Sequence, residues 1–251
     1  MDSAEVLKEI AEQVTVCEKC NLHFSRKKAV PGEGPSSVEL MFIGEGPGFY
    51  ENELGRPFVG QAGKFLDELL ARAGVSREKV FITNVVKCRP PGNHDPEPEE
   101  LSACRGYLER QIEALNPRVI VTLGRFSMAH FLPYAKISSA HGKATWVNGR
   151  LVVAMYHPAA ALHQPSLQET VLEDFSHLPE FIKLAQKTQA GHVISASAAV
   201  DPAESTTQPA PAQPHTEQHS LLDILPDQAV EPPAPPADDP DDSGPVQLSL
   251  F

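Results

Sequence analysis

Hydrophobic residues in the first three quarters of the chain alternate between short runs and helical spacing. Val6, Ile10 and Val14 recur at helical intervals among acids in residues 1–16. Residues 38–43 form an apolar run ending in Gly44, the pattern of a buried strand. Ala62, Phe65, Leu66, Leu69, Leu70 and Ala73 then follow a helical stripe, and Gly74 supplies its stop. The same reading predicts a strand over 80–86, a helix over 99–115, a strand over 118–123 and a helix over 125–132. A hairpin turn at Asn148-Gly149, a strand over 151–156 and a helix over 167–187 complete the series. Strands separated by helices predict an α/β fold, a three-layer α/β/α sandwich with a mainly parallel central sheet. Ligands in such folds gather beyond the carboxyl ends of the strands. Gly44-Glu45-Gly46-Pro47-Gly48, Thr83-Asn84, Gly124-Arg125 and His157-Pro158 occupy those places.

The pattern changes near residue 187. Beyond it lie Ala, Pro, Ser, Gln and Asp with few large apolar groups, among them many of the chain's 24 prolines. Such a segment buries too little surface to offset its ordering entropy, so a domain over 1–187 and a disordered acidic linker over 188–246 are expected. Apolar islands recur at Leu221 to Leu225 and at Val246 to Phe251. No Lys or Arg follows Lys187, and ten acids beyond it carry most of the net charge of −12. The folded part is therefore near neutral, with basic clusters at Arg26-Lys27-Lys28 and Lys87-Arg89 that can still meet phosphates.

No apolar run approaches the ~20 residues that span a bilayer, and the first residues lack a basic-then-apolar leader pattern. A cytoplasmic protein with no membrane partner is the expectation. In a reducing compartment its four cysteines, Cys17, Cys20, Cys88 and Cys104, suit a metal site better than disulfides. Four thiolates fit either tetrahedral zinc or a [4Fe–4S] cluster, and spacing alone leaves both open. The glycine-rich turn after the first strand exposes backbone N–H groups toward a ligand. It lacks the Lys-Ser/Thr of a phosphate-binding P-loop and the spacing of a dinucleotide fingerprint.

Taken in order, Cys17, Val30-Pro31-Gly32-Glu33-Gly34, Gly44 to Gly48, Gly55-Arg56-Pro57-Phe58-Val59-Gly60, Thr83-Asn84-Val85-Val86-Lys87-Cys88-Arg89-Pro90 and His157-Pro158-Ala159 resemble the family 4 uracil-DNA glycosylases. The resemblance spans about residues 5–185 and implies a [4Fe–4S] cluster rather than zinc. It implies that a uridine is flipped from DNA into a pocket, where Phe58 stacks on the base and Asn84 reads its Watson–Crick edge. His157 then stabilises the charge developing on uracil O2. Glu45 and Gly46 belong to the motif that positions water and pyrimidine, Gly46 standing where other glycosylase families carry Asp. Glu51 matches a second acid, near C5 or the attacking water. Leu162 corresponds to a minor-groove wedge and His163 to a phosphate contact, with Arg125 and Lys87 as further DNA-binding candidates.

The resemblance makes the chain a monomeric hydrolase acting on uracil-containing DNA in base excision repair. A covalent uracil trap is the first rival; residues 89–96 are short for the trapping insertion of such relatives, although His94 lies among them. A noncatalytic cluster-bearing module of the replication machinery is the second. Gln247-Leu248-Ser249-Leu250-Phe251 resembles the peptide by which bacterial proteins bind the β sliding clamp. Leu248, Leu250 and Phe251 are its apolar anchors and Gln247 its polar contact. A coil of the linker's length spans roughly 40–50 Å, enough to search beside a clamp. Leu221 to Leu225 is a candidate second, weaker contact.

Overall fold

The computed structural model describes residues 2–196, so the clamp-type peptide, the 221–225 island and most of the expected linker lie outside the described residues. Helix α1 (Ser3–Thr15) starts at a capping box in which Glu5 accepts from the Asp2 backbone N–H at 3.2 Å. It is followed by α2 (Leu22–Ser25), strand β1 (Leu40–Gly44), α3 (Phe49–Leu54), α4 (Gln61–Arg72) and β2 (Phe81–Asn84). Then come α5 (Pro98–Leu115), β3 (Val119–Leu123), α6 (Arg125–Phe131), α7 (Ile137–Ala140), β4 (Lys143–Val147) and β5 (Arg150–Met155). Helices α8 (Pro158–His163), α9 (Gln168–Ser176) and α10 (Leu178–Ala196) close the series.

The sheet runs β2-β1-β3-β5-β4, with the first four strands parallel and β4 antiparallel to β5. Successive strand residues face opposite layers. Phe42, Ile82, Val121 and Val153 pack with Leu66, Leu69 and Leu70 of α4 and Phe175 of α9 on one face. Met41, Ile43, Ile120 and Val152 pack with Leu108 and Ile112 of α5 on the other. Full burial of each such side chain contributes about 1.5–3 kcal/mol, so both faces must be covered, and the three-layer α/β/α sandwich follows. A third cluster joins Ile10, Val14 and Leu22 to Val86, Cys88, Cys104 and Tyr107, docking the N-terminal helices on α5.

The crossover from β1 to β2 passes over the α4 face, and that from β2 to β3 over the α5 face. The topology therefore opens a crevice at the carboxyl ends of β1 and β3. The Pro31-Gly32-Glu33-Gly34 stretch has a different task. Glu33 and Ile82 exchange backbone hydrogen bonds of 2.9 and 2.8 Å, covering the outer edge of β2.

The elements depart from the sequence expectation in three places. The second strand stops at Asn84: after the last ladder bond, from Val85 N–H to the Gly44 carbonyl, the Val86 N–H turns to the Glu45 carbonyl. The helix expected over 167–187 is two helices, broken at His177. Pro179 lacks an N–H and its ring crowds the carbonyl four residues back, so it is accommodated in the first turn of a new helix. That helix continues to Ala196, beyond the expected border, since the end of the basic residues did not end helix-forming sequence. The hairpin is formed as expected: Asn148 and Gly149 both have positive φ (49° and 77°), as a two-residue type I′ turn requires.

Candidate active site

The apolar row that lines one face of the sheet ends abruptly at the crevice. Phe42 gives way to Gly44 and Ile82 to Asn84, which are partners in the β1–β2 ladder. A Cβ on Gly44 would lie 2.6 Å from Phe58 Cζ and would collide with Asn84 Oδ1. Only a glycine lets the aromatic ring and the amide close over this spot. Asn84 is 1% exposed, and neither its Oδ1 nor its Nδ2 has a protein hydrogen-bond partner. An unpaired buried amide costs about 1–3 kcal/mol per polar group, so the site carries a donor and an acceptor in want of a ligand.

Phe58 is held in the left-handed region (φ 51°), uncommon for a bulky residue. Glu51, itself buried, fixes the next turn by accepting from Val59 N at 2.8 Å and Gly60 N at 2.9 Å through one carboxylate oxygen. On the other side Gly63 of α4 passes beneath Phe58 so closely that a Cβ would lie 2.9 Å from Phe58 Cα and collide with its carbonyl. The Phe58 ring stacks near His157, with centroids 5.5 Å apart and planes 29° apart.

His157 follows β5 and caps α8, its Nδ1 accepting from Ala159 N at 3.2 Å. With Nδ1 acting as acceptor, the neutral ring carries its proton on Nε2. Enclosure of the ring pushes its pKa down to about 4, against a smaller opposing effect of Glu51, although the residue keeps some surface open to the crevice. The imidazole is thus an uncharged Nε2–H donor at neutral pH. Glu45 is half-buried, and burial first, then the negative charge of Asp95, raises its carboxyl above the usual range while Arg125 opposes them. Arg125 pairs with Asp95 at the surface. Gly46 leaves no room for a side chain, since a Cβ would sit 2.8 Å from Val86 Cγ2.

Behind β2 the four cysteines, all free of disulfides, line one cavity together with Arg26 and Tyr107. Cys88 and Cys104 are buried, Cys17 and Cys20 partly exposed. Burial pushes the Cys104 thiol up to about 11 and raises Cys20 and Cys88 as well. The Arg26 guanidinium donates to Cys88 Sγ at 3.4 Å, to Cys17 O at 2.6 Å and to Thr15 O at 2.9 Å. Among the described residues no three potential ligand groups converge tightly enough for a single ion. The donor set is all sulfur and fits a thiolate-ligated metal group, which would supply the positive charge that four clustered thiolates require.

A family model described as the uracil DNA glycosylase superfamily matches residues 31–181. The chain belongs to this superfamily. The type-4 uracil-DNA glycosylase of Archaeoglobus fulgidus is 45% identical over 193 residues, 73% of this chain and 97% of that protein. That of Saccharolobus solfataricus is 50% identical over 181 residues, 68% of this chain and 84% of the relative. A type-4 enzyme of Thermotoga maritima is 44% identical over 184 residues, 71% of this chain and 96% of the relative.

In this superfamily member Asn84, Phe58 and His157 meet around Gly44, with Glu45 and Gly46 in the adjoining loop. Leu162, His163 and Arg125 are exposed near it, on α8 and at the start of α6. Lys87 is a correction. Expected at the DNA surface, it is 1% exposed, and its ammonium donates to Thr83 Oγ1 (2.6 Å), Asn84 O (2.8 Å) and Gln111 Oε1 (2.8 Å). Burial lowers its pKa to about 7; such a group cannot reach a phosphate. Glu51 commits one of its oxygens to the Phe58 loop and leaves the other beside Gly48. Gln111 and Asp95 were missed. Gln111 was hidden as one more polar residue in an amphipathic helix, and Asp95 as a loop acid.

The depressed pKa of His157 has a consequence with a definite sign. Between about pH 4 and 6.5 the unfolded chain binds a proton there that the folded chain does not, so stability rises with pH across this window. The contribution is complete above 6.5 and lost as pH falls toward 4. The His157 ring resonance should titrate near pH 4 by NMR, and a midpoint near 6.5 would contradict the enclosed, neutral imidazole.

Proposed function

We propose that the chain is a uracil-DNA glycosylase that hydrolyses the bond between uracil N1 and deoxyribose C1′, leaving an abasic site. The observation that carries this reading is the buried, unpartnered amide of Asn84 beside Phe58. Uracil offers a complementary pair: its O4 accepts from Nδ2 and its N3–H donates to Oδ1. The base must leave the duplex to reach such a site, and the Phe58 ring supplies a face on which it can stack. As the N1–C1′ bond breaks, its electron pair moves onto the base and charge grows on O2. The Nε2–H of neutral His157 donates to that oxygen, a preorganised dipole rather than a proton source. Water adds to C1′ and its proton passes to Glu45, whose carboxyl burial raises above the usual range, while Glu51 is engaged with the Phe58 turn. Glu51 positions Phe58 by holding the turn after it.

Leu162, with 48% of its surface exposed, is assigned to the gap left by the flipped base, with His163 and Arg125 beside the strand. His94 is exposed and its Nδ1 donates to Asp95 O at 2.7 Å; the shortness of the 89–96 segment that carries it is what favours hydrolysis over a covalent histidine trap. We assign Cys17, Cys20, Cys88 and Cys104 to a [4Fe–4S] cluster, which would tie the N-terminal helices to β2 and α5. Among the described residues no helix is long and apolar enough to cross a membrane. A monomer working in the cytoplasm is the simplest arrangement. Gln247, Leu248, Leu250 and Phe251 are assigned to a sliding clamp, with residues 197–246 as tether. The support for this is the five-residue pattern alone.

A uracil-containing oligonucleotide should be converted to an alkali-labile abasic product. Asn84→Asp should abolish uracil release, and His157→Ala should slow the single-turnover step by about 10²–10³-fold, as for loss of one preorganised donor. Unchanged rates in both variants would place the chemistry elsewhere.

Protein purified without oxygen should be brown and contain about four irons per chain. Colourless protein with a single zinc would reject the cluster.

Removal of residues 247–251 should abolish retention on an immobilised bacterial β clamp while oligonucleotide cleavage persists. Equal retention of both forms would remove the clamp from the scheme.

A further inference from the structure

Helix α3 faces two ways. Glu51 and Asn52 point inward, Glu51 holding the Phe58 turn and Asn52 Oδ1 accepting from Lys27 N at 2.9 Å. The two residues before them, Phe49 and Tyr50, are 54% and 57% exposed. Their rings meet edge to face, with centroids 5.4 Å apart and planes at 86°. The Arg89 guanidinium lies over the Phe49 ring, 5.5 Å from its centroid, and is held there by Nε donating to Asn93 Oδ1 at 2.8 Å. Two large aromatics left in water beside a cation are not core residues out of place, since the same helix buries polar groups on its inner side.

Their location gives them an occupant. Gly48, immediately before Phe49, adjoins the Glu51 carboxylate, and Tyr50 Cδ2 lies 3.4 Å from where a Cβ on Gly60 would be. The rings therefore stand next to the loop that carries Phe58, continuous with the candidate uracil site. We propose that Phe49 and Tyr50 form a stacking platform for an unpaired base flanking the flipped uridine, with Arg89 against its phosphate. The substrate class that fits is single-stranded or locally melted DNA. In an intact duplex the neighbouring bases already stack and pair, so their faces are closed to the platform. In a single strand the faces are free, and aromatic stacking accepts any base. The inference rests on the glycosylase reading for the flipped uridine, but the platform itself can be tested without turnover.

The full-length Phe49→Ala/Tyr50→Ala protein should bind a uracil-free single strand about tenfold or more weakly than the parent in fluorescence anisotropy. Its affinity for the matched duplex should change by less than about threefold. In cleavage assays the same split should appear in KM, raised on single-stranded and barely on duplex substrate, with saturating single-turnover rates within about threefold of the parent. A Phe49→Trp/Tyr50→Trp protein, which keeps the stacking faces, should retain the parent's single-strand affinity. Equal weakening on both substrates, no weakening on either, or loss of single-strand affinity in the tryptophan variant would each overturn the platform. If the parent binds single strands through these rings yet releases no uracil, the glycosylase reading fails and the platform stands.

Discussion

One buried ammonium holds the two halves of the site together. Lys87 reaches back along β2 to the Thr83 hydroxyl and the Asn84 carbonyl, and across to Gln111 on α5. Gln111 Nε2 in turn donates to Pro31 O at 2.7 Å, tying in the segment that covers the sheet edge. Burying an ammonium costs several kcal/mol, whereas hydrogen bonds to a charged group each return roughly 1.5–3 kcal/mol. Three acceptors bring the balance near even, and the network is therefore intolerant of losing any one of them. Its neighbour in sequence, Cys88, lines the cysteine cavity, so the segment after β2 is packed at that cavity and held by this polar knot. Asn84 is held through its carbonyl, which accepts from this ammonium at 2.8 Å.

A tight frame of this kind explains why the recognition amide can stay empty. Gly44 and Gly63 allow Phe58 and Asn84 to crowd together, and the Glu51 clamp keeps Phe58 in a conformation it would not otherwise adopt. The cost of an unpaired amide is carried by the surrounding core, whose Phe42, Leu66 and Val121 are fully buried. Neither amide atom is hydrogen-bonded to a neighbour that would fix which way round it points. Discrimination between uracil and cytosine therefore depends on more than a prepaid orientation of this side chain.

The layer order, both covered faces and the crevice were legible because they follow from periodicity: runs for strands, helical stripes between them, glycines at strand ends. The type I′ turn was legible from the Asn148-Gly149 pair, whose chemistry is local. What stayed hidden depends on three-dimensional neighbours. Nothing in Lys87 itself distinguishes a surface lysine from one buried under Thr83 and Gln111. Glu51 carries no local mark of its bonds to Val59 and Gly60, eight and nine residues away. The break at His177 was hidden for another reason: the apolar stripe runs on through Leu178 and Phe181, while Pro179 resets the backbone beneath it.

Arg26 joins chain segments made at very different times. Its guanidinium spans Thr15, Cys17 and Cys88, and the cavity beside it is completed by Cys104. On a ribosome adding roughly 5–20 residues per second, Cys17 waits about 4–17 seconds before Cys104 is even polymerised. Until then its thiol, that of Cys20 and the apolar side of α1 lack the part of their docking surface that α5 supplies, Cys104 and Tyr107. The N-terminal helix is thus among the first segments synthesised, yet its docking and the four-cysteine cavity cannot be completed until α5 has been made.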